Sequence, residues 1–429
     1  MLPILLDKGL QTLAARRSNA MHLSREELAI ARGDRGLPAK VLFEQQMAVG
    51  EFFGAERFVP VSHVHLCADY EVMGDAGAAM IAELADGGAR LCVSATGSAG
   101  CLAGDLDERF APSAHLLARE GEVQQNLRRL GVLSVGTCSP AQNVYVPRFG
   151  EHLAWGDTGA VAFANAVLGA RSNFESGPAA LAAALTGRTP AYGFHLDRHR
   201  AATLHVHVMA EVHDVADWGA LGALVGLRAG GYSCVPYFEF DEAQPTADDL
   251  KQLAAALACY GSIAMFHVAG VTPEAHLHHE ALASLPHEEV SESDVVSYLE
   301  SYGPSVGGVD LVVFGAPHLS LAEMETLVRL LEGRRVAATC TVLVSTSVMQ
   351  RAAAQSAGIL DALHGAGVNV LTGTNWYNTE IGALRERLGW SRVVTNSAQL
   401  ANAVGAQGYK AVLIATHACV EAAVRGRFA

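Results

Sequence analysis

The sequence predicts an α/β protein in which helices cover mostly parallel sheets. Short apolar segments alternate with segments of helical spacing along most of the chain, an order that is typical of parallel sheets. Residues 204–208 alternate between apolar and polar side chains, which indicates a half-buried strand. In sheets of this kind, ligands bind beyond the carboxyl ends of the strands, so we expect the functional site there.

Length and composition favour a large folded protein. The chain has 429 residues, of which 50% are hydrophobic, so it can bury more than one core. We divide it into an N-terminal α/β lobe, 1–235, and a C-terminal α/β lobe, 236–429. No apolar run reaches the roughly 18–20 residues needed to cross a bilayer, and Asp7 and Lys8 interrupt the first one. We therefore expect a cytoplasmic protein without a membrane partner.

Charge and cysteine usage narrow the function classes further. The formal net charge of −14 argues against a nucleic-acid partner, because an acidic surface repels a phosphate backbone. Attraction of a small anion would need local positive charge, such as Arg171, Arg198 and Arg200. The eight cysteines contain no C-x-x-C pair, which favours reduced thiols over a disulfide framework.

The individual elements follow from spacing and capping signals. Helical spacing extends over 10–53, and Ser24 stands as an N-cap before the acidic residues of a first turn. The pattern predicts strands at 58–61, 89–94, 204–208, 263–268, 309–314, 336–344, 368–371, 392–394 and 411–414. It predicts helices at 76–86 and 248–259, after the turn at 270–275, and at 321–331, 347–364, 397–403 and 418–424.

Residues 137–200 carry the densest group of reactive side chains. The segments 137–140, 150–173 and 192–200 combine a cysteine, hydroxyls, asparagines, histidines and arginines with small residues. An ordinary core would need more volume there, and a surface would need more charge. We therefore interpret this stretch as the wall of a pocket.

The same stretch resembles the large subunit of the aconitase X family. The family pattern runs Thr-Cys-Thr-Pro, Gly-Glu-His…Trp, Glu-Ser-Ser-Ala-Val, Asn-Ser-x-x-Gly-Ala-Arg-Thr-Asn and His-Leu…Arg. The positions that fit it are Cys138, Pro140, His152, Trp155, Ala160, Val161, Asn165, Arg171, Asn173, His195 and Arg200. The resemblance extends over nearly the whole chain and implies aconitase-like, three-layer αβα lobes.

The resemblance also implies a reaction. Aconitase-type dehydration removes a proton next to a carboxylate and expels a hydroxyl, so it needs a base, an acid and donors for the carboxylate. The resemblance suggests three catalytic candidates, namely Asp157, Ser397 and His63. The implied substrate-binding residues are Asn165, Arg171, His195, Arg200, Asn396, Thr96 and Ser98, and the implied metal ligands are Cys138 and Cys67.

Several family positions differ in this sequence. Residues 96–98 replace Thr-Thr-Leu-Asn, Asn375 replaces the cysteine of Asp-Thr-Cys, Ala316 stands where a cysteine is common, and Gln399 replaces a lysine. The family's acid is iron or an iron–sulfur cluster held by cysteines, for which asparagine is a poor ligand. An iron or iron–sulfur centre, a single metal ion and a metal-free site all remain open.

The candidates also have ordinary structural interpretations. Asp157 and Ser397 stand at predicted helix starts, where N-caps are expected. The polar residues of the pocket stretch could instead form a buried network that joins a helix to a strand. These residues are Asn165, Arg171, His195 and Arg200.

His205 and His207 share one face of the strand at 204–208. They could hold zinc in a hydrolase, but no third histidine or carboxylate follows at a helical offset, so a solvated strand face is favoured. A solvated helix face is likewise favoured for His276, His278 and His279.

Two functional hypotheses follow. The first is an aconitase X-like hydro-lyase large subunit that acts on a small hydroxylated carboxylate, such as a 3-hydroxyproline or a hydroxy acid. Because family enzymes need a small swivelling domain and none follows Ala429, we expect it on a separate small subunit. The alternative is a catalytically degenerate paralogue that serves as a ligand-binding or assembly subunit.

Overall fold

The computed structural model describes residues 21–101, 108–142, 144–175, 177–241, 244–303 and 306–428. The predicted helical segment 10–53 lies partly outside these residues. Its described part contains two helices, and the first begins at the predicted N-cap. Ser24 accepts the backbone N–H of Glu27, and the Glu27 side chain accepts the N–H of Ser24, so both groups are capped.

Three parallel sheets follow one another along the chain. The first has the strand order β4-β3-β2-β5, the second β10-β7-β8-β9 and the third β13-β12-β11-β14-β15, while β1 and β6 form a small antiparallel pair. The strands are β1 (Phe58–Pro60), β2 (His63–Leu66), β3 (Ser94–Gly97), β4 (Leu133–Ser134), β5 (Ala154–Trp155), β6 (Arg188–Pro190), β7 (Leu204–Val208), β8 (Pro236–Phe240), β9 (His267–Val268), β10 (His287–Val290), β11 (Leu311–Leu319), β12 (Thr341–Thr346), β13 (Val368–Thr372), β14 (Arg392–Thr395) and β15 (Lys410–Leu413). The mixed α/β fold with parallel sheets confirms the predicted class.

Helices pack on these sheets, and most begin at a Ser, Thr or Asp cap. They are α1 (Arg25–Arg32), α2 (Leu37–Phe52), α3 (Tyr70–Asp86), α4 (Ala114–Leu130), α5 (Thr158–Ala166), α6 (Pro178–Thr186), α7 (Val215–Ala229), α8 (Ala247–Gly261), α9 (Glu292–Glu300), α10 (Leu321–Leu331), α11 (Val348–Ser356), α12 (Ile359–Gly365), α13 (Ile381–Leu388), α14 (Ala398–Gly405) and α15 (Thr416–Arg425). Across the described ranges, no helix combines the length and apolar character that a bilayer span requires.

Several strands and one helix begin or end at other residues than the sequence predicts, because their bounds depend on tertiary contacts. The strand predicted at 89–94 begins only at Ser94, because its partner β2 starts at His63 and the two residues are in register. The strand predicted at 336–344 is displaced to Thr341–Thr346, and the one at 263–268 pairs only at its end. The helix predicted at 347–364 is interrupted at Gly358, whose φ of 74° is in the left-handed region.

The second sheet extends from residue 204 to residue 290. It therefore spans the boundary that was predicted between the two lobes. The boundary expected at residue 235 lies between β7 and β8, which are paired from Leu204 and Pro236 onwards. Hydrogen bonds of a single sheet therefore cross that position. The three sheets indicate three consecutive structural units instead of a division at this residue.

Helices α7 and α8 approach closely because glycines face the contact. A Cβ atom on Gly222 would lie 2.8 Å from the Cβ of Ala256 and 2.9 Å from the backbone oxygen of Leu253. On Gly226 it would lie 2.9 Å from the backbone nitrogen of Gly261. This contact fixes α8, which carries the lysine described below.

We expect the Gly222→Ala substitution to lower the free energy of unfolding by about 1–3 kcal/mol, because the helices must separate to admit a methyl group. Urea denaturation measures this change. Gly121→Ala in α4 is the matched control, because a Cβ there meets nothing within 4 Å. It should be neutral or stabilising by up to about 1 kcal/mol. Equal destabilisation by both substitutions would contradict the packing argument.

Candidate active site

A narrow cleft lies where the first and third sheets meet helix α8. Its walls come from all three structural units, each of which is built on one of the parallel sheets. They lie in the loops that follow β4 and β5, at the end of β11, and on helices α8 and α14. The residues that line it are Cys138, Ser139, Ala141, Gln142, Asp157, Gly159, Ala160, Phe163, Lys251, Pro317 and Gln399. The position at strand ends agrees with the expectation for parallel sheets.

Asp157 is the carboxylate of the cleft. It stands before α5, but its side chain makes no capping hydrogen bond, and the Ser98 hydroxyl donates to its Oδ2 at 3.2 Å. Burial raises the pKa of Asp157 to about 6, although Ser98 and the amides of Ala160 and Gly159 oppose that shift. A carboxyl group with this pKa can both accept and release a proton near neutral pH.

Lys251 is the cation of the cleft. Its Nζ lies 2.9 Å from Asp248 Oδ1 and 2.5 Å from Glu323 Oε2, and it donates to the backbone oxygen of His318 at 3.2 Å. Burial opposes the charged form, but the two carboxylates outweigh it, so the pKa of Lys251 is raised above its ordinary value. The ammonium is therefore charged throughout the physiological range.

Two thiols lie beside these charges. The backbone N–H of His318 donates to Cys138 Sγ at 3.1 Å, and Asn375 Oδ1 lies 3.9 Å from the same sulfur. Burial, together with the Asp157 charge, raises the pKa of Cys138 to about 12 and that of Cys67 well above its ordinary value. Both thiols are protonated at neutral pH unless a cation binds them.

The thiol set does not fit an iron–sulfur cluster. Such clusters take thiolates as their usual ligands, whereas this part of the site offers Cys67 and Cys138 and then the amide of Asn375. Ala316, at the other family cysteine position, is a small apolar residue of the core. Two neighbouring thiols suit a single ion better than a cluster.

A second group of potential ligands lies outside the lining of the cleft. One atom each of Asp69, Cys101 and Glu120 lie within 4.8 Å of one another, and all three residues are buried. Their carboxylates also accept the first backbone N–H groups of α3, since Asp69 accepts from Val72 at 3.0 Å and Glu120 from Tyr70 at 2.7 Å. Helix capping accounts for these buried charges.

His63 and Thr96 are engaged in the first sheet. The indole N–H of Trp155 donates to His63 Nδ1 at 3.1 Å, and Tyr145 stacks on the imidazole at 4.1 Å. His65 donates to the Thr137 carbonyl at 3.0 Å, so its Nδ1 accepts the Thr96 hydroxyl at 2.7 Å. Burial lowers the pKa of His63 to about 4, so it is neutral at physiological pH.

Arg200 and Asn165 form the buried network that was the alternative interpretation of the pocket stretch. Arg200 grips both oxygens of Glu274, with its Nε at 2.9 Å from Oε2 and its Nη2 at 2.7 Å from Oε1, and also donates to the Asn165 carbonyl. The Asn165 amide in turn bonds to Ser172 and to the Ala264 carbonyl. These contacts join α5 to the second sheet's unit and occupy both side chains.

Arg171 and His195 form a neighbouring polar group away from the cleft lining. Arg171 pairs with Asp197 at 2.5 Å, and His195 Nδ1 lies 3.0 Å from His152 Nδ1. The buried Nε2 of His195 has no hydrogen-bond partner and lies 3.9 Å from Glu175. Of the seven predicted substrate-binding residues, Ser98 is the one whose side chain contacts the cleft carboxylate.

Ser397 and Asn396 are used by the third sheet. Ser397 is fully buried, accepts the Leu400 N–H at 3.1 Å and donates to the Ala316 carbonyl, so it caps α14. Asn396 donates to the Thr416 hydroxyl at 2.9 Å and lines a second, separate cleft beside Asp214. The structural interpretation of Ser397 as an N-cap therefore holds.

Sequence reasoning did not single out Lys251. The available signal was a lysine within an otherwise apolar helical segment, because residues 250–258 include Leu-Lys-Gln-Leu-Ala-Ala-Ala-Leu-Ala. An unpartnered lysine is rarely buried, so its position on the inner side of α8 required Asp248 of the same helix together with Glu323 of α10. Tyr377 was also missed; burial and the Asp157 charge raise its pKa well above the ordinary value.

Comparisons with known proteins give a consistent result. Family models for the first, second and third domains of aconitase X match residues 20–198, 202–300 and 309–425. The phosphomevalonate dehydratase large subunit of Thermococcus kodakarensis is 35% identical over 345 residues, covering 80% of this chain and 86% of that protein. The cis-3-hydroxy-L-proline dehydratase of Pseudomonas aeruginosa is 33% identical over 416 residues, covering 93% of this chain and 69% of that protein.

A solved structure resembles the whole fold. The crystal structure of aconitase X from Thermococcus kodakaraensis, in its holo-form, superposes with a TM-score of 0.84 at 31% identity and covers 94% of this chain and 100% of that chain. The gaps between the three family models fall between the three sheets, and residue 235 lies inside the second match.

We expect the Arg200→Met substitution to lower the free energy of unfolding by about 3–5 kcal/mol, because it leaves the buried Glu274 carboxylate without its partner. Urea denaturation followed by circular dichroism measures it. Arg198→Met is the control, since Arg198 is exposed, and should change stability by no more than about 0.5 kcal/mol. If Arg200→Met kept full stability and only raised KM, Arg200 would belong to the substrate site.

Proposed function

The chain belongs to the aconitase X family, and we propose from this premise that its cleft dehydrates a small hydroxylated carboxylate without a phosphate group. The chain is a hydro-lyase, as its relatives are named dehydratases. The observation that supports the substrate class is the pairing of one carboxylate, Asp157, with one already neutralised cation, Lys251, in the same cleft.

Asp157 is proposed as the base that removes the proton next to the substrate carboxylate. Its pKa of about 6 leaves it mostly charged at neutral pH yet close enough to that pH to return the proton. Ser98 orients the carboxylate through its hydroxyl, and α5 begins directly behind it. Asp157 and Ser98 thus act together in proton transfer at the N-terminus of α5.

The amides of Gln399 and Gln142, which line the cleft, are proposed to hold the substrate carboxylate, while Lys251, whose three N–H donors already go to Asp248, Glu323 and the His318 carbonyl, holds the wall of the cleft in place. Asp248 and Glu323 together carry more negative charge than the ammonium neutralises, so this part of the cleft has no spare positive charge for a highly charged substrate. A phosphate brings up to two further negative charges, and no other Lys or Arg lines this cleft in the described part of the chain. The charge balance therefore favours an unphosphorylated substrate.

A single metal ion is proposed in preference to an iron–sulfur cluster. Cys67 and Cys138 would hold it, and it would supply Lewis acidity for the leaving hydroxyl. The buried amide of Asn375 lies beside Cys138, where a third thiol would be needed for a cluster. The roles given to Asp157 and Lys251 do not depend on this ion.

A small subunit is proposed as the partner, because archaeal relatives are named large subunits. We infer that the two chains close the cleft together. The alternative is a catalytically degenerate paralogue, and the absence of thiols at Ala316 and Asn375 supports it. The following test distinguishes it from the dehydratase.

The complex of this chain with its small subunit should dehydrate cis-3-hydroxy-L-proline or mevalonate with a kcat/KM at least about tenfold above that for phosphomevalonate, since the phosphate adds uncompensated charge. Mevalonate and phosphomevalonate form a matched pair that differs only in this group. Proton NMR of the product measures the reaction. Preference for the phosphorylated compound would refute the substrate class, and no turnover of any of the three would favour the degenerate paralogue.

Asp157→Asn should lower kcat by about 10²–10⁴-fold, because the amide cannot accept the proton. In the parent protein, kcat/KM should rise with pH through about 6, since the charged form is the base. Because the folded-state pKa is raised, the charged carboxylate opposes folding above that pH, so Asp157→Asn should not lower stability at neutral pH.

Ser98→Ala is the companion variant. It removes a hydrogen bond that favours the charged carboxylate, so the midpoint of the pH profile should move upward while the fold is kept. An unchanged midpoint in Ser98→Ala, together with full activity in Asp157→Asn, would remove Asp157 from the mechanism.

A further inference from the structure

One face of the second sheet carries paired histidines and carboxylates. Leu204, Val206 and Val208 of β7 point into the core, so His205 and His207 point to the opposite face. The parallel register places His287 of β10 beside His205. The third histidine that the sequence lacked at a helical offset thus comes from a neighbouring strand, 82 residues after His205.

Each histidine presents its Nε2 to an acid. The Nε2 atoms of His205 and His207 lie 2.9 Å from Glu239 and 3.0 Å from Asp241. His287 Nε2 lies 3.7 Å from Glu289. For His205 and His207, the carboxylate hydrogen-bonded at Nε2 favours the proton there, so Nδ1 carries the lone pair, whereas Glu289 is too far from His287 for a hydrogen bond. Histidine ligands of metals are held in this way by a carboxylate on their other nitrogen.

The Nδ1 atoms of His205 and His287 face each other at 3.3 Å. This separation is longer than the roughly 2.7–3.2 Å of a good hydrogen bond involving N–H. Two nitrogens bound to one zinc ion at ~2.0–2.1 Å with a tetrahedral angle lie about 3.3 Å apart. His205 Nδ1 offers its lone pair toward His287 Nδ1, so the gap between the two rings is filled either by a proton on His287 or by a cation bound to both nitrogens.

We propose that His205 and His287 bind one divalent transition-metal ion of the zinc type through their Nδ1 atoms. Glu239 holds the His205 ring from behind by a hydrogen bond, and Glu289 lies 3.7 Å from the Nε2 of His287. The His287 side chain is 46% exposed and the His205 side chain 15%, so the ion is reached from solvent and keeps open positions for water. The site lies on the second sheet and uses none of the residues that line the cleft.

The test is a titration of Zn²⁺ and Co²⁺ into the full chain carrying Cys67→Ser and Cys138→Ser, so that the cleft thiols do not contribute. Isothermal titration calorimetry gives the stoichiometry, and the Co²⁺ absorption spectrum distinguishes nitrogen and oxygen ligands from thiolates. The variants are His287→Gln and His205→Gln. His213→Gln is the matched control, because His213 also pairs with an acid, Glu211 at 3.1 Å, and is exposed.

We expect the stoichiometry to fall by one ion per chain in His287→Gln and in His205→Gln and to stay unchanged in His213→Gln. Glu239→Gln should weaken zinc binding by about 10–100-fold, as loss of a supporting carboxylate does at metal sites. His287 is nearly half exposed, so its variant should keep the parent's circular dichroism spectrum without metal. Unchanged stoichiometry in His287→Gln, a thiolate band with Co²⁺, or no bound ion in the parent would each overturn the proposal.

Discussion

The buried ammonium of Lys251 is the interaction on which the cleft depends. It projects from α8 in the second unit and is held by Asp248 of the same helix and Glu323 of α10 in the third unit. Taking these charges out of water is costly, and removing one partner of such a group typically costs about 3–5 kcal/mol. The group therefore fixes how the second and third units meet.

The same interaction reaches the first unit through one peptide. Lys251 donates to the carbonyl of His318, and the N–H of His318 donates to the sulfur of Cys138. The cation, the β11 backbone and the thiol after β4 thus form a continuous chain of contacts. Asp157 enters the cleft from the loop after β5, in the same unit as Cys138, so the acid and the thiol share one unit and the cation is brought to them from another by packing.

Polar residues in this protein divide into those with spare bonding capacity and those without. Arg200 is an arginine in a pocket-like stretch, yet its guanidinium is occupied by Glu274 and two carbonyls. Asp157 has one hydroxyl partner and faces the cleft, and the paired histidines of the second sheet face each other through their Nδ1 atoms. Residue type suggests chemistry, but unused donors and acceptors decide where it can take place.

The sequence by itself determined the α/β class, the family, the capped start of α1 at Ser24 and the candidates Asp157, Ser98 and Cys138, because periodicity, caps and motifs are written in neighbouring residues. It placed the start of β3 several residues early, and it could not show that the Arg200 and Asn165 side chains are engaged by Glu274, Ser172 and backbone carbonyls. Tertiary structure alone decided the pairing of Lys251 with Glu323, 72 residues away, and of His205 with His287, 82 residues away. Such contacts depend on sheet register and helix packing, which bring distant parts of the chain together and leave no local pattern from which they could be predicted.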